Sequence, residues 1–261
     1  MLKNKVAVIY GAGGAIGSAV ARAFASEGAN LFLTGRHLAP VEVVAKDIVA
    51  AGGSAETAEV DALDEQAVDK HLESVTDKAG RVDISFNAIG IPNPKIRVPL
   101  VELDVEIFSL PIATYTRSYF LTARLAARRM VTNRSGVIMT VTAILSRTGI
   151  PLAGGGGPAN AAVEALTREL SAELSPQGIR VVGLRPQGIS ETGRIKESFE
   201  LYAKASGMTR EQFHELLASR THTRRLSTLA EMANVAVFMA SDQASGMTGT
   251  VVNLSMGSLD D

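Results

Sequence analysis

The 261-residue sequence has no cysteine, which excludes disulfides, thiolate metal sites and thiol catalysis. It has no charge bias either. Its 26 basic and 27 acidic residues leave a net charge of −1, and no block of like charge suits nucleic acid or an anionic membrane surface. Histidine is scarce, and His37, His71, His214 and His222 lie without metal-ligand spacing, so no metal site is expected. Long apolar runs are also missing. The opening "MLKNKVAVIYGAGG" starts charged, and its apolar run stops at glycines, too short for a secretory leader or a membrane span. The expectation is a cytoplasmic protein that contacts neither membrane nor nucleic acid.

What is present is a globular composition, 46% hydrophobic and 20% charged, at a length that fits one large α/β domain. Short apolar runs alternate with longer segments of helical period. The runs predict strands at 6–10, 31–34, 55–60, 82–86, 137–141, 179–184 and 250–254. Between them the periodicity predicts helices at 15–27, 39–51, 64–79 (with Asp64 as N-cap), 159–174 and 229–240. A further long helix is expected to begin near Pro111, which suits a first turn, and a polar helical region covers 194–220. Strand–helix repetition with non-alternating strands implies a Rossmann-like, doubly wound parallel sheet of about seven strands with helices on both faces. No linker or repeat divides residues 1–261, so a single domain is expected.

"YGAGGAIG" lies between the first strand and the first helix, the context of a phosphate-binding turn. Gly11 suits the tight turn. Ala12, Gly13 and Gly14 would let the backbone approach a pyrophosphate, and Gly17 lets the helix pack closely on the sheet. Ala15 and Ile16 open a helix whose N-terminus offers free N–H groups to phosphates. The end of the second strand decides which dinucleotide fits. An acid there would grip the ribose 2′-hydroxyl; here Gly35 removes repulsion and Arg36 can pair with a 2′-phosphate. NADP(H) is expected over NAD(H), the alternative for Arg36 being a solvated arginine at a strand end.

"VDAL" (60–63), "NAIG" (87–90) and "RPQG" (185–188) follow in order at the carboxyl ends of later strands. With these motifs the chain resembles the short-chain dehydrogenase/reductase family over nearly its whole length. The resemblance implies a dinucleotide bound across Gly11–Gly17, with Asp61 and Ala62 near the adenine. Asn87, Ala88 and Gly90 would lie along the ribose and nicotinamide side, with Asn160, Pro186 and Gly188 as further cofactor contacts. It also implies a homodimer or homotetramer paired through helices at 111–132 and 158–175.

The family's chemistry uses a tyrosine as proton donor, a lysine one helical turn later, a serine on the preceding strand and an asparagine in the long helix. By this resemblance those positions hold Gly156, Asn160, Ala143 and Tyr115. No Tyr-x-x-x-Lys occurs anywhere in the sequence. Thr142, beside Ala143, and Tyr115 are candidate substitutes, although Tyr115 reads first as a core aromatic on an amphipathic helix. The run Gly154–Gly157 reads either as a flexible loop or as space opened above a nicotinamide. Residues 190–222 occupy the place of a helical substrate lid, where Glu191, Arg194 and His214 could meet a ligand; an oligomer-facing surface is the alternative. Three functions stay open on this sequence: an atypical NADP(H)-dependent oxidoreductase of a small carbonyl or alcohol substrate, a non-turning-over NADP(H)-binding sensor or partner subunit, and a non-redox enzyme of elimination or aldol type.

Overall fold

The computed structural model describes residues 1–91 and 94–260. Seven parallel strands form one sheet: β1 (Val6–Tyr10), β2 (Asn30–Gly35), β3 (Ser54–Glu59), β4 (Ile84–Asn87), β5 (Gly136–Val141), β6 (Ile179–Pro186) and β7 (Thr250–Leu254). Their spatial order is β3-β2-β1-β4-β5-β6-β7. The order reverses between β1 and β4, and at such a switch point a crevice opens beyond the strand ends.

Helices α1 (Ala15–Ser26), α2 (Leu38–Ala50) and α8 (Leu229–Ala240) cover one face of the sheet, around a core containing Ile9, Phe24, Leu33 and Val237. Helices α3 (Glu65–Ala79), α4 (Val105–Asn133) and α5 (Gly156–Leu174) cover the other, around Val8, Tyr10, Leu72 and Met130. β1 therefore buries both of its faces, and its five apolar residues run without alternation for that reason. The edge strand β3, "SAETAE", alternates in exposure instead. Helices α6 (Gly193–Ala205) and α7 (Arg210–Ser219) form the expected helical pair after β6. No helix among the described residues is long and apolar enough to cross a membrane.

The largest departures from the sequence reading are two helix starts. α4 starts at Val105, not at Pro111, because the Asp104 side chain accepts the Glu106 and Ile107 N–H groups and caps it there. Pro111 is a buried interior residue of that helix. α5 starts at Gly156 rather than Ala159, with the Gly156 N–H donating to Ala153 O at 3.0 Å.

Candidate functional site

The carboxyl ends of β1, β2 and β4 enclose a cleft whose wall includes Gly11, Gly13, Gly14, Gly35, Arg36, His37, Asp61, Ala62, Ala88, Gly90 and Thr114. Its floor is set by backbone contacts too close for side chains. Gly11 has φ +76°, and a Cβ there would lie 2.9 Å from Ala88 O. A Cβ on Gly17 would lie 2.3 Å from Gly11 O, so close helix packing is what demands that glycine. Ala12 is no part of an open cradle: it is buried, and its N–H donates to Thr34 O at 2.9 Å. Of Ala12, Gly13 and Gly14, only the two glycines line the cleft. Gly14 is the N-cap of α1 and provides no side-chain cap, which leaves the first-turn N–H groups to an anion. Ala15 and Ile16 begin α1 beside the cleft, with Ile16 packed against the core.

Gly35 has a packing cause beyond the one read from sequence, since a Cβ would meet Val41 Cγ2 at 2.8 Å. Arg36 and His37 are exposed along the same wall. Asp61 accepts the Leu63 N–H at 3.0 Å and so holds the turn after β3. Asn87 is mostly buried; its Nδ2 donates to Thr122 Oγ1 at 3.0 Å and its Oδ1 accepts the Ile89 N–H at 3.0 Å. This asparagine shapes the 87–90 turn so that its backbone lines the cleft. Thr114 was not singled out by sequence, although it directly precedes Tyr115. Pro186, the last residue of β6 and in register with Leu254, and Gly188, just beyond that strand, lie outside that lining. Glycine cradle, uncapped helix start and exposed cation together fit a dinucleotide phosphate.

The segment from β5 to α5 carries the remaining positions of interest. Ala143 leads into a single 3-10 turn, Ile144–Ser146. The glycine run is no flexible loop but divides by contact. Gly154 (φ +52°) packs on Ile96, and a Cβ on Gly155 would lie 1.9 Å from Phe108 O. Gly156 and Gly157 belong to the first turn of α5, and a Cβ on Gly156 would meet only Leu145 Cδ1, at 3.7 Å. Asn160 Nδ2 donates to Gly156 O at 2.7 Å, turning the amide back along the helix.

Thr142 cannot substitute for a serine hydroxyl facing the cleft. It is buried, and its Oγ1 donates to Glu164 Oε1 at 3.0 Å. Glu164 also accepts from Ser146 Oγ at 2.5 Å and from Arg185 Nη1 at 3.0 Å. Glu164 and Arg185 are 3% and 2% exposed, so a buried ion pair with two hydroxyls ties β5, the 3-10 turn, α5 and β6 together. Sequence reading missed this group. Its signal was a glutamate on the apolar face of one helix and an arginine in an apolar strand.

Tyr115 packs against the core cluster that contains Tyr119 and Val163, in line with a core aromatic. Tyr10 and Tyr119 are fully enclosed, and burial pushes both hydroxyls up from the usual phenol range. Between α6 and α7, Phe199 meets Phe213 edge-on at 5.5 Å and His214 at 6.4 Å, while Tyr202 stacks on Phe213 at 5.9 Å. His214 is thus part of an aromatic cluster. Glu191 accepts the Leu229 N–H at 2.6 Å and serves the start of α8 instead of facing a ligand. The Arg194 side chain lies outside the described residues.

Comparison with known proteins extends this picture. A family model described as enoyl-(acyl carrier protein) reductase matches residues 11–258. An uncharacterized oxidoreductase, YxbG, of Bacillus subtilis (strain 168) is 33% identical over 261 residues, covering 98% of this chain and 91% of that protein. The peroxisomal 2,4-dienoyl-CoA reductase [(3E)-enoyl-CoA-producing] of Rattus norvegicus is 30% identical over 259 residues, covering 99% and 85%. Among solved structures, an NAD+-bound xylitol dehydrogenase superposes with a TM-score of 0.92 at 25% identity, covering 98% of this chain and 99% of that one.

Proposed function

The chain belongs to the short-chain dehydrogenase/reductase family of oxidoreductases, and from that premise we propose that it is an NADP(H)-dependent reductase of a conjugated carbonyl compound. The observation that carries this reading is a well-formed nucleotide cleft beside positions that hold no acid. By the family resemblance, Gly156, Asn160 and Ala143 stand where a tyrosine, a lysine and a serine would fall. Reduction of an isolated ketone puts charge directly on oxygen and depends on such a donor. Reduction of a carbon–carbon double bond conjugated to a carbonyl spreads that charge over an enolate, which can take a proton at oxygen or at carbon and so makes a smaller demand on a donor at those positions. The family model's description and the name of the rat relative both denote enoyl-type reductions.

Gly13, Gly14 and the start of α1 would hold the pyrophosphate, and Asp61 the adenosine side. Gly35 and Arg36, with His37 beside them, favour the 2′-phosphate of NADP(H). When bound, the nicotinamide supplies the hydride. The Asn87 turn would hold the reacting end of the cleft, and the lid aromatics would exclude water. A homodimer or homotetramer through α4 and α5 belongs to the same reading, supported by the exposed Leu110, Phe120 and Val131 on α4.

The test is a fluorescence titration with NADPH and NADH, followed by turnover on matched panels of saturated ketones and enoyl thioesters. Saturable NADPH binding with turnover confined to the conjugated panel is expected; equal turnover of simple ketones would refute the substrate class. The same unfilled positions favour a second reading, an NADP(H)-binding sensor or partner subunit, whose outcome is binding without turnover on either panel.

A further inference from the structure

Of the four tyrosines, Tyr10 and Tyr119 are enclosed in the core and Tyr115 packs against it. Tyr202, on α6, is half-buried and stands apart from the core. Its hydroxyl receives a hydrogen bond of 2.6 Å from Arg97 Nη1. The same nitrogen donates to Leu152 O at 2.9 Å, and the Arg97 guanidinium carbon lies 4.6 Å from the centre of the Tyr202 ring. Leu152 is four residues before Gly156. Ile96, the neighbour of Arg97, packs on Gly154. A phenol with a cation on its oxygen therefore stands against the segment that leads into α5, where by the family resemblance a phenol and a cation would follow at Gly156 and Asn160.

We infer that Tyr202 is the proton donor to the substrate oxygen, with Arg97 as the residue that positions it and stabilises its anion. The inference rests on the reductase reading above. Three features suit the role. The ring is fixed by stacking on Phe213 at 5.9 Å, so the hydroxyl is held in place before substrate arrives. The oxygen accepts from Arg97, which leaves its own proton to donate. The guanidinium keeps its charge at any working pH. Hydride addition to the substrate leaves negative charge on the carbonyl oxygen. The Tyr202 O–H bond then breaks as the substrate O–H bond forms, the phenolate stays beside Arg97, and water returns the proton. For a conjugated substrate the product of this step is an enol, which tautomerises to the saturated carbonyl compound.

Arg97 is the charged group in contact with this phenol among the described residues, and His214 lies one ring further away, against Phe199. Burial raises Tyr202 above the ordinary phenol range while Arg97 draws it down, so the two contributions can be separated by substitution. Tyr202→Phe keeps the ring and its stacking and removes only the hydroxyl.

The experiment compares wild type, Tyr202→Phe, Arg97→Gln and Tyr115→Phe, each loaded with NADPH and given the conjugated panel, with NADPH affinity measured by fluorescence. Expected for Tyr202→Phe is a kcat about 10²–10⁴-fold lower, with NADPH affinity unchanged and KM little moved. Wild-type kcat in Tyr202→Phe, or loss confined to Tyr115→Phe, overturns the inference. A readout that needs no turnover keeps it separable from the reductase reading. Titration of phenolate absorbance in wild type minus Tyr202→Phe isolates this hydroxyl, and Arg97→Gln should move its titration to higher pH. No movement overturns the pairing even where the enzyme is active. Failure of wild type to turn over the panel, with the titration moving as expected, refutes the reductase reading and the donor role together, and leaves the phenol–cation pair standing.

Discussion

Grafting the family's acid back onto α5 tests the assignment of Gly156, Asn160 and Ala143 directly. The backbone tolerates the change. A Cβ at Gly156 meets nothing nearer than 3.7 Å, and Ala143 has an extended backbone, φ −149°, that suits serine. Asn160→Lys removes the 2.7 Å bond to Gly156 O, worth about 1 kcal/mol. It also brings an ammonium to a site that is 8% exposed, which costs roughly 3–5 kcal/mol unless the new charge finds a partner. Against a domain stability of about 5–15 kcal/mol the triple variant should fold. A positioned general acid is worth about 10²–10⁴-fold, or roughly 3–5 kcal/mol of barrier. Gly156→Tyr alone should recover little of that, because without the lysine its pKa stays near the ordinary phenol value of about 10. The assay is NADPH consumption with simple ketones, together with a fluorescence check that NADPH is bound. A folded, NADPH-loaded triple variant that reduces ketones no faster than wild type would refute the reasoning.

Arg36→Ala should weaken NADPH binding by about tenfold or more, the loss of a charge-assisted bond worth roughly 1.5–3 kcal/mol, and leave NADH binding nearly unchanged; paired titrations decide it. Glu164→Leu and Arg185→Met should each cost about 3–5 kcal/mol in denaturant unfolding because each strands a buried partner, whereas the double variant should lose much less than the sum. Additive losses would show that the two do not act as a pair. Burial, with Lys78 adding to it, lowers His71 to about 4. The unfolded chain therefore binds a proton that the folded chain refuses, and stability should fall as pH drops from about 6.5 towards 4. His71→Gln should flatten that part of the pH–stability curve.

The sheet was legible because its signals are local. The β1 run ends on a glycine turn, and both it and the α8 period were placed at their observed bounds. Gly11 and Gly17 could be read because only glycine meets such contacts. What escaped depends on residues distant in sequence. Pro111 read as a helix start because the cap, Asp104, lies seven residues earlier. Thr142 read as a free hydroxyl because its acceptor, Glu164, is 22 residues away on another element. Ala12 read as cradle because its bond to Thr34 crosses between strands. Likewise, nothing in the sequence joins Arg97 to Tyr202, 105 positions apart.

α4 has 29 residues, a rod of roughly 43 Å at 1.5 Å per residue, longer than the sheet it covers. Pro111 contributes no N–H to its ladder, so cooperativity along the rod is weakest there. Below that point Tyr119, Leu125 and Met130 anchor the helix in the core. Above it Val105 is exposed and Phe108 places its carbonyl against Gly155. Two different working lives are expected of the helix: a core-bound length that opens with global unfolding, and a short prow beside the entrance to α5 that loosens on its own. Amide exchange would draw the line between them at the proline, and changes in the prow can reshape the substrate side without being felt by the fold.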